Sequence, residues 1–97
     1  MTLTDLAMGM YDEIHRKEPD GKGWARAERK LPHGLIISLA GSRARRSFKL
    51  ILQRTSVLPS ATEVEICRKA FCIPEDVTEV VSIREIAISW KQKGPTE

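Results

Sequence analysis

Leu35-Ile36-Ile37-Ser38-Leu39-Ala40-Gly41-Ser42-Arg43-Ala44-Arg45-Arg46-Ser47-Phe48-Lys49-Leu50-Ile51-Leu52-Gln53-Arg54 is the stretch that decides the fold of this 97-residue chain. Residues 35–40 and 46–54 are rich in β-branched and long apolar side chains, and a short polar segment that begins on glycine separates them. That pattern reads as a β-hairpin. Pairing Leu39 with Phe48, Ile37 with Leu50 and Leu35 with Leu52 sends all six side chains to one face and leaves residues 42–45 as a four-residue loop. The opposite face then carries Ile36, Ser38, Ala40, Ser47, Lys49, Ile51 and Gln53. Arg43 and Arg45 sit at the tip of the hairpin, with Arg46 at its base.

Upstream, residues 24–30 alternate as a further strand, with Trp24, Arg26, Glu28 and Lys30 on one side and Ala25, Ala27 and Arg29 on the other. Leu31-Pro32-His33-Gly34 reads as the turn that joins it to the hairpin. Residues 4–17 read as a helix, because Leu3, Leu6, Met10 and Ile14 recur at spacings of three and four. Thr4 is its expected N-cap, and Asp5 stands where negative charge favours a helix N-terminus. Glu18-Pro19-Asp20-Gly21 stops it, since proline breaks the ladder and glycine accepts a turn.

Downstream, Ser60-Ala61-Thr62-Glu63 has the form of a capping box and opens a second helix of about twelve residues that Pro74 ends. Val64, Cys67, Ala70 and Phe71 form its buried stripe, with Ile66 and Ile73 beside it. Residues 77–90 fit a strand through the alternation of Ile86, Ile88 and Trp90, and their β-branched content favours strand over helix. The expected fold is therefore a small single α+β domain over residues 1–97, in the order α-β-β-β-α-β. Its sheet is mainly antiparallel, both helices cover one face, and residues 91–97 form a frayed tail. The core should include Leu6, Met10, Ile14, Leu35, Ile37, Leu39, Phe48, Leu50, Leu52, Val64, Cys67 and Phe71.

Composition narrows the class of protein. With 41% hydrophobic and 30% charged residues the chain is globular rather than disordered, and 97 residues leave room for one core. No apolar run approaches a bilayer span, and the N-terminus lacks the basic start of a secretory signal, so the expected place is the cytoplasm, with no membrane partner. Cys67 and Cys72 stand five positions apart and face different directions, which argues for two small hydrophobes in a reducing compartment rather than a disulfide. His15 and His33 have no neighbouring Cys, Asp or Glu at metal-ligand spacing. Phosphate loop, nucleophile elbow and Cys-x-x-Cys patterns are missing too. No enzyme, metal or cofactor is expected.

Charge is distributed unevenly. Residues 22–54 hold nine basic side chains against Glu28 alone, a local +8, between segments of −3 and −2. Such asymmetry points to a polyanionic partner. The expected site is nucleic-acid-binding, DNA or RNA. Arg43, Arg45 and Arg46 would reach phosphates from the hairpin, and Trp24, Arg26, Lys30 and Lys49 would join them on an open sheet face, where an aromatic ring among cations suits backbone tracking with base stacking. The alternative is a protein-interaction or homo-oligomeric domain that buries Ile36, Ile51 and Trp90 against another chain.

Two family resemblances bear on the first reading. Residues 66–86, Ile-Cys-Arg-Lys-Ala-Phe-Cys-Ile-Pro-Glu-Asp onward, resemble a helix-turn-helix, but Arg68 stands where that pattern has a small residue and Cys72 where it has glycine. The helix–three strands–helix plan is similar to that of the double-stranded RNA-binding domain. That family opens its second helix with lysines, whereas Ser60-Ala61-Thr62-Glu63-Val64-Glu65 would repel phosphate, and a plan alone does not carry a function.

Overall fold

A computed structural model describes residues 2–55 and 57–91. The order of elements is α1 (Leu3–Arg16), β1 (Ala25–Lys30), β2 (Ile36–Ser42), β3 (Ser47–Gln53), α2 (Ala61–Ala70), β4 (Val80–Val81) and β5 (Glu85–Lys91). The α+β class and the antiparallel sheet follow the sequence expectation, with one strand more at the C-terminal end. The five strands lie in the order β1-β2-β3-β5-β4, and every neighbouring pair is antiparallel.

Each helix starts where a side chain can satisfy its free amides. Ser60 and Glu63 form the capping box foreseen for α2. For α1 the cap is Thr2, not Thr4: the Thr2 hydroxyl accepts from the Asp5 amide and the Asp5 carboxylate from the Thr2 amide. Thr2-Leu3-Thr4-Asp5 closes a second reciprocal box, which Thr4 has no carboxylate three residues ahead to form.

α2 ends earlier than Pro74 would require. The Cys72 amide donates to the Lys69 carbonyl and the Ile73 amide to the Arg68 carbonyl, with Cys72 left-handed at φ 55°. This is a Schellman closure with cysteine in the place glycine usually takes. Cys72 is consequently exposed and beyond the helix, while Cys67 is buried within it. Because an L side chain is strained at that φ, Cys72→Gly should raise stability slightly, by up to about 1 kcal/mol in a urea titration.

The helix-facing side of the sheet is the core. Ala25 and Ala27 of β1, Ile37 and Leu39 of β2, Leu50 and Leu52 of β3, and Ile86, Ile88 and Trp90 of β5 are all buried, with Leu35 just before β2. Ala7, Met10 and Ile14 of α1 pack on them, with Val64 and Cys67 of α2 and the adjoining Phe71 and Ile73. Leu6 and Phe48, expected in the core, are half-buried at its margin, and Ile66 is exposed.

The hairpin register differs from the expected one by two residues. Leu39 faces Leu50, Ile37 faces Leu52 and Gly41 faces Phe48, and the loop is residues 43–46. A shift of two keeps every side chain on its face. Burial of charge and the space at Gly41 account for it. The expected pairing would have set Arg46 opposite Gly41 on the helix-facing side, whereas the observed one leaves Arg46 in the loop at φ 51°. Phe48 instead takes the space that Gly41 leaves: a Cβ there would stand 3.1 Å from the Phe48 ring and 2.8 Å from Ile14 Cδ1. From that position Phe48 stacks on Trp90 at 5.6 Å between centroids and meets Tyr11 edge-on at 5.4 Å.

Residues 77–90 divide into β4 and β5. The Ser82 amide donates to the Glu85 carbonyl and the Ser82 hydroxyl accepts from the Glu85 amide, which closes a hairpin with Ile83 and Arg84 at its tip. The segment therefore gives no second helix after α2, and the helix-turn-helix resemblance ends there. Of the frayed tail expected over 91–97, Lys91 is the last residue of β5 and 92–97 lie outside the described residues.

Candidate nucleic-acid interface

Among the described residues, the second face of the sheet carries no helix. Its rows follow from the strand register: Arg26, Ala40, Lys49 and Ser89 form one row, Glu28, Ser38, Ile51, Ala87 and Val80 the next, and Lys30, Ile36, Gln53 and Glu85 a third. Small side chains along the middle of the sheet leave a groove of about 440 Å³ near its β1 side. Trp24 and Lys22 stand at one end of it, with Arg26, Lys49 and Ile51 along it and Asp20 and Glu28 in its wall.

A tight loop fixes Trp24. The Asp20 carboxylate accepts from the backbone amides of Lys22 at 2.9 Å and Trp24 at 3.0 Å, and the Asp20 amide donates to the Trp24 carbonyl at 2.8 Å. Gly23, at φ 87°, supplies the left-handed turn the loop needs. The amides of Trp24 and then Lys22 hold the Asp20 carboxyl below the usual range, with smaller help from Arg26 and Lys22 charge. Asp20 is thus the organiser of the tryptophan loop, and Trp24 is left half-buried at the groove rather than taken into the core.

Not all the basic residues of 22–54 are available to a partner. Arg29 points to the helix side and pairs with Glu13 of α1 at 2.7 Å. Lys17 pairs with the same carboxylate at 2.8 Å and donates to the Arg26 carbonyl. The Lys17 and then the Arg29 hydrogen bond lower the Glu13 pKa. Arg54 is held by Glu63 and donates to the His33 carbonyl. Lys22, Arg26, Lys30, Arg43, Arg45, Arg46 and Lys49 have no ion pair among the described residues.

The seven expected site residues fall into separate places. Trp24, Arg26 and Lys49 meet in the groove. Lys30 lies on the same face four residues further along β1, roughly 13 Å from Arg26 at strand rise. Arg43 and Arg46 line a different cleft, of about 210 Å³, beside His15, Ile14 and Phe48 on the helix side. Arg45 is exposed at the hairpin tip. Lys22, which the sequence reading left out, lines the groove beside Trp24. Its position after Asp20-Gly21, in the loop that positions the tryptophan, was the available clue.

Of the interface residues in the alternative reading, Ile36 and Ile51 are half-buried on the open face. Trp90 is not on that face: it is 8% exposed and points into the core against Phe48. Alternation from Ile86 through Ile88 to Trp90 places all three on the helix-facing side.

His33 turns its Nδ1 toward Arg54, and burial raises the Cys67 thiol to about 11, with Glu63 charge adding to it. Among the described residues no group of three or more His, Cys, Asp or Glu side chains converges closely enough to hold a metal ion, and no helix is long and apolar enough to cross a membrane. The fold defines a small α+β domain with an open sheet face that carries Arg26, Lys30 and Lys49 beside Glu28 and Glu85. No protein-family model, curated protein or solved structure matches the chain.

Proposed function

We propose that this domain is a non-catalytic module of the cytoplasm that binds single-stranded nucleic acid along the groove of its open sheet face. The observation that supports it is the grouping of Lys22, Arg26 and Lys49, none of them ion-paired among the described residues, around the half-buried ring of Trp24. Cations beside a groove track a phosphate backbone, and a ring held at its end offers a base a face to stack on. An unpaired base fits such a ring, whereas a base inside a duplex is already stacked. Arg45, exposed at the hairpin tip, extends the path beyond the groove, while Arg43 and Arg46 lie across the sheet from it.

Titration with oligo-dT and oligo-rU, followed through tryptophan fluorescence, tests the reading. Quenching should report Trp24, because Trp90 is buried. The logarithm of affinity should fall with the logarithm of salt by about 0.7 per phosphate contacted. Trp24→Ala should weaken binding by roughly tenfold, from the lost stacking. Paired Arg26→Glu and Lys49→Glu changes should remove it, and Glu at Arg43, Arg45 and Arg46 together should weaken it less. Absence of binding to either oligomer at low salt would defeat the proposal.

A further inference from the structure

The groove on the open face changes character along its length. In the row Arg26–Ala40–Lys49, a cation stands on either side of a small residue of β2. In the next row, Glu28–Ser38–Ile51, the same frame carries a carboxylate on one side, a hydroxyl on the floor and an apolar side chain on the other. All six residues line the groove. Neighbouring strands lie about 4.8 Å apart, so the two walls stand roughly 9–10 Å from each other, and the second row follows the first by about 7 Å along the strands.

Glu28 is exposed, and although Arg26 and Lys30 flank it on the same face, it makes no ion pair among the described residues. Within the groove its carboxylate accepts one long hydrogen bond, from the Ser38 hydroxyl to Oε2 at 3.4 Å. An ionised carboxylate is a pair of acceptors side by side with nothing to donate. Next to a phosphate such a group repels. Next to the edge of a base it can accept, and the row of Arg26 and Lys49 leaves the phosphate a separate place.

We propose that the Glu28 row is a seat for a guanine base of the bound strand, so that the groove prefers guanine to the other bases. This seat presupposes that single-stranded nucleic acid occupies the groove, as proposed above. Guanine alone presents two adjacent donors on its Watson–Crick edge, N1–H and the N2 amino group, which match the two oxygens of Glu28. In cytosine and adenine the amino donor has an acceptor ring nitrogen beside it. In thymine and uracil a single N–H stands between two carbonyls. Each of those edges turns a lone pair toward a carboxylate oxygen, which costs affinity. Ile51 gives the base an apolar contact across the groove, and a duplex would already have used the edge that Glu28 reads.

Fluorescence anisotropy of labelled short oligomers, titrated with the full chain at low salt, is the test. The set is oligo-dT and its variants with a single central guanine, adenine, cytosine or hypoxanthine. The guanine oligomer should bind roughly tenfold tighter than oligo-dT, and hypoxanthine, which lacks the N2 amino group, should lose most of that gain. Glu28→Ala alters only an exposed side chain, so it should leave the circular dichroism spectrum unchanged. It should bring guanine down to the level of thymine without weakening oligo-dT, since it removes a negative charge from the groove. Guanosine monophosphate should compete roughly a hundredfold less well than the guanine oligomer, having one phosphate for the cations and no second base for Trp24. Equal affinity for guanine and thymine overturns the base seat and leaves the nucleic-acid reading standing, whereas absence of binding to every oligomer overturns both. A guanine preference that survives Glu28→Ala, or oligo-dT binding lost in that variant, overturns the assignment to Glu28. Competition by the mononucleotide as strong as by the oligomer overturns the seat for a base within a strand.

Discussion

Replacing Phe71 by alanine should lower the stability of the domain by about 3–5 kcal/mol, the range for deleting a buried aromatic ring. Phe71 is 1% exposed and heads the largest fully buried side chains of the core. It caps α2 and lies where α2, α1 and the sheet meet, with the Tyr11 ring tilted 5.8 Å away. The Tyr11 hydroxyl also donates to the Phe71 carbonyl at 2.7 Å, and burial raises the Tyr11 pKa, so the phenol stays protonated and the bond is kept. Alanine leaves that backbone bond in place. The loss is therefore one of packing, with a cavity between α1 and α2.

A domain of this size has a total stability of roughly 5–10 kcal/mol, so the change removes a large share of it. At about 4–8 °C per kcal/mol, the melting temperature should fall by roughly 15 °C or more. Thermal melts followed by circular dichroism measure it, and Phe71→Leu should cost much less because it fills most of the same volume. A fall of only a few degrees for Phe71→Ala would mean that α2 is not anchored through this ring.

The second large effect concerns Glu63, whose carboxylate ties three segments together. It accepts from the Ser60 amide at 3.1 Å in the capping box, from Arg54 Nε at 3.1 Å and from Arg54 Nη2. Arg54 follows β3 and donates at 3.0 Å to the carbonyl of His33, in the turn before β2. Glu63→Ala removes half of the cap and leaves the part-exposed Arg54 without its partner. The expected cost is about 1–2 kcal/mol, most of it from the cap, read from the urea midpoint.

Acid should reproduce part of this in the wild type. The Arg54 hydrogen bond, then the Ser60 amide, hold the Glu63 pKa below its ordinary value. A carboxyl depressed on folding contributes stability that is present above its unfolded pKa of about 4.3 and lost as pH falls through the folded value. Stability should thus decline below about pH 4.5, and Glu63→Gln should flatten that decline without abolishing it, because Glu13 and Asp20 are depressed as well. An acid limb unchanged by Glu63→Gln would remove Glu63 from the account.

Much of this fold is written locally. Alternation in residues 35–54 specifies two strands and their buried faces, because period two ties face to position whatever the register. Ser60-Ala61-Thr62-Glu63 specifies the start of α2, because both partners of its cap lie within four residues. The local +8 over residues 22–54 is equally a property of the chain alone.

What the chain alone leaves open depends on contacts between distant residues. The hairpin register turned on whether Gly41 would face Arg46 or the Phe48 ring, and that is settled by Ile14, Tyr11 and Trp90, which come from other elements. The division of the C-terminal segment into β4 and β5 rests on the bond from Ser82 to Glu85 and on the neighbouring strand β3. Charge count could not say which cations are free, since Arg29 and Arg54 are neutralised by Glu13 and Glu63, 16 and nine residues away. Nor could it separate Arg43 and Arg46 from Arg26 and Lys49, which alternation and the turn send to opposite sides of one sheet. Sequence determined the two strands of residues 35–54, the start of α2 and which third of the chain is basic. Tertiary structure decided which of those charges remain unpaired and which face they share, because both depend on partners that only packing brings together.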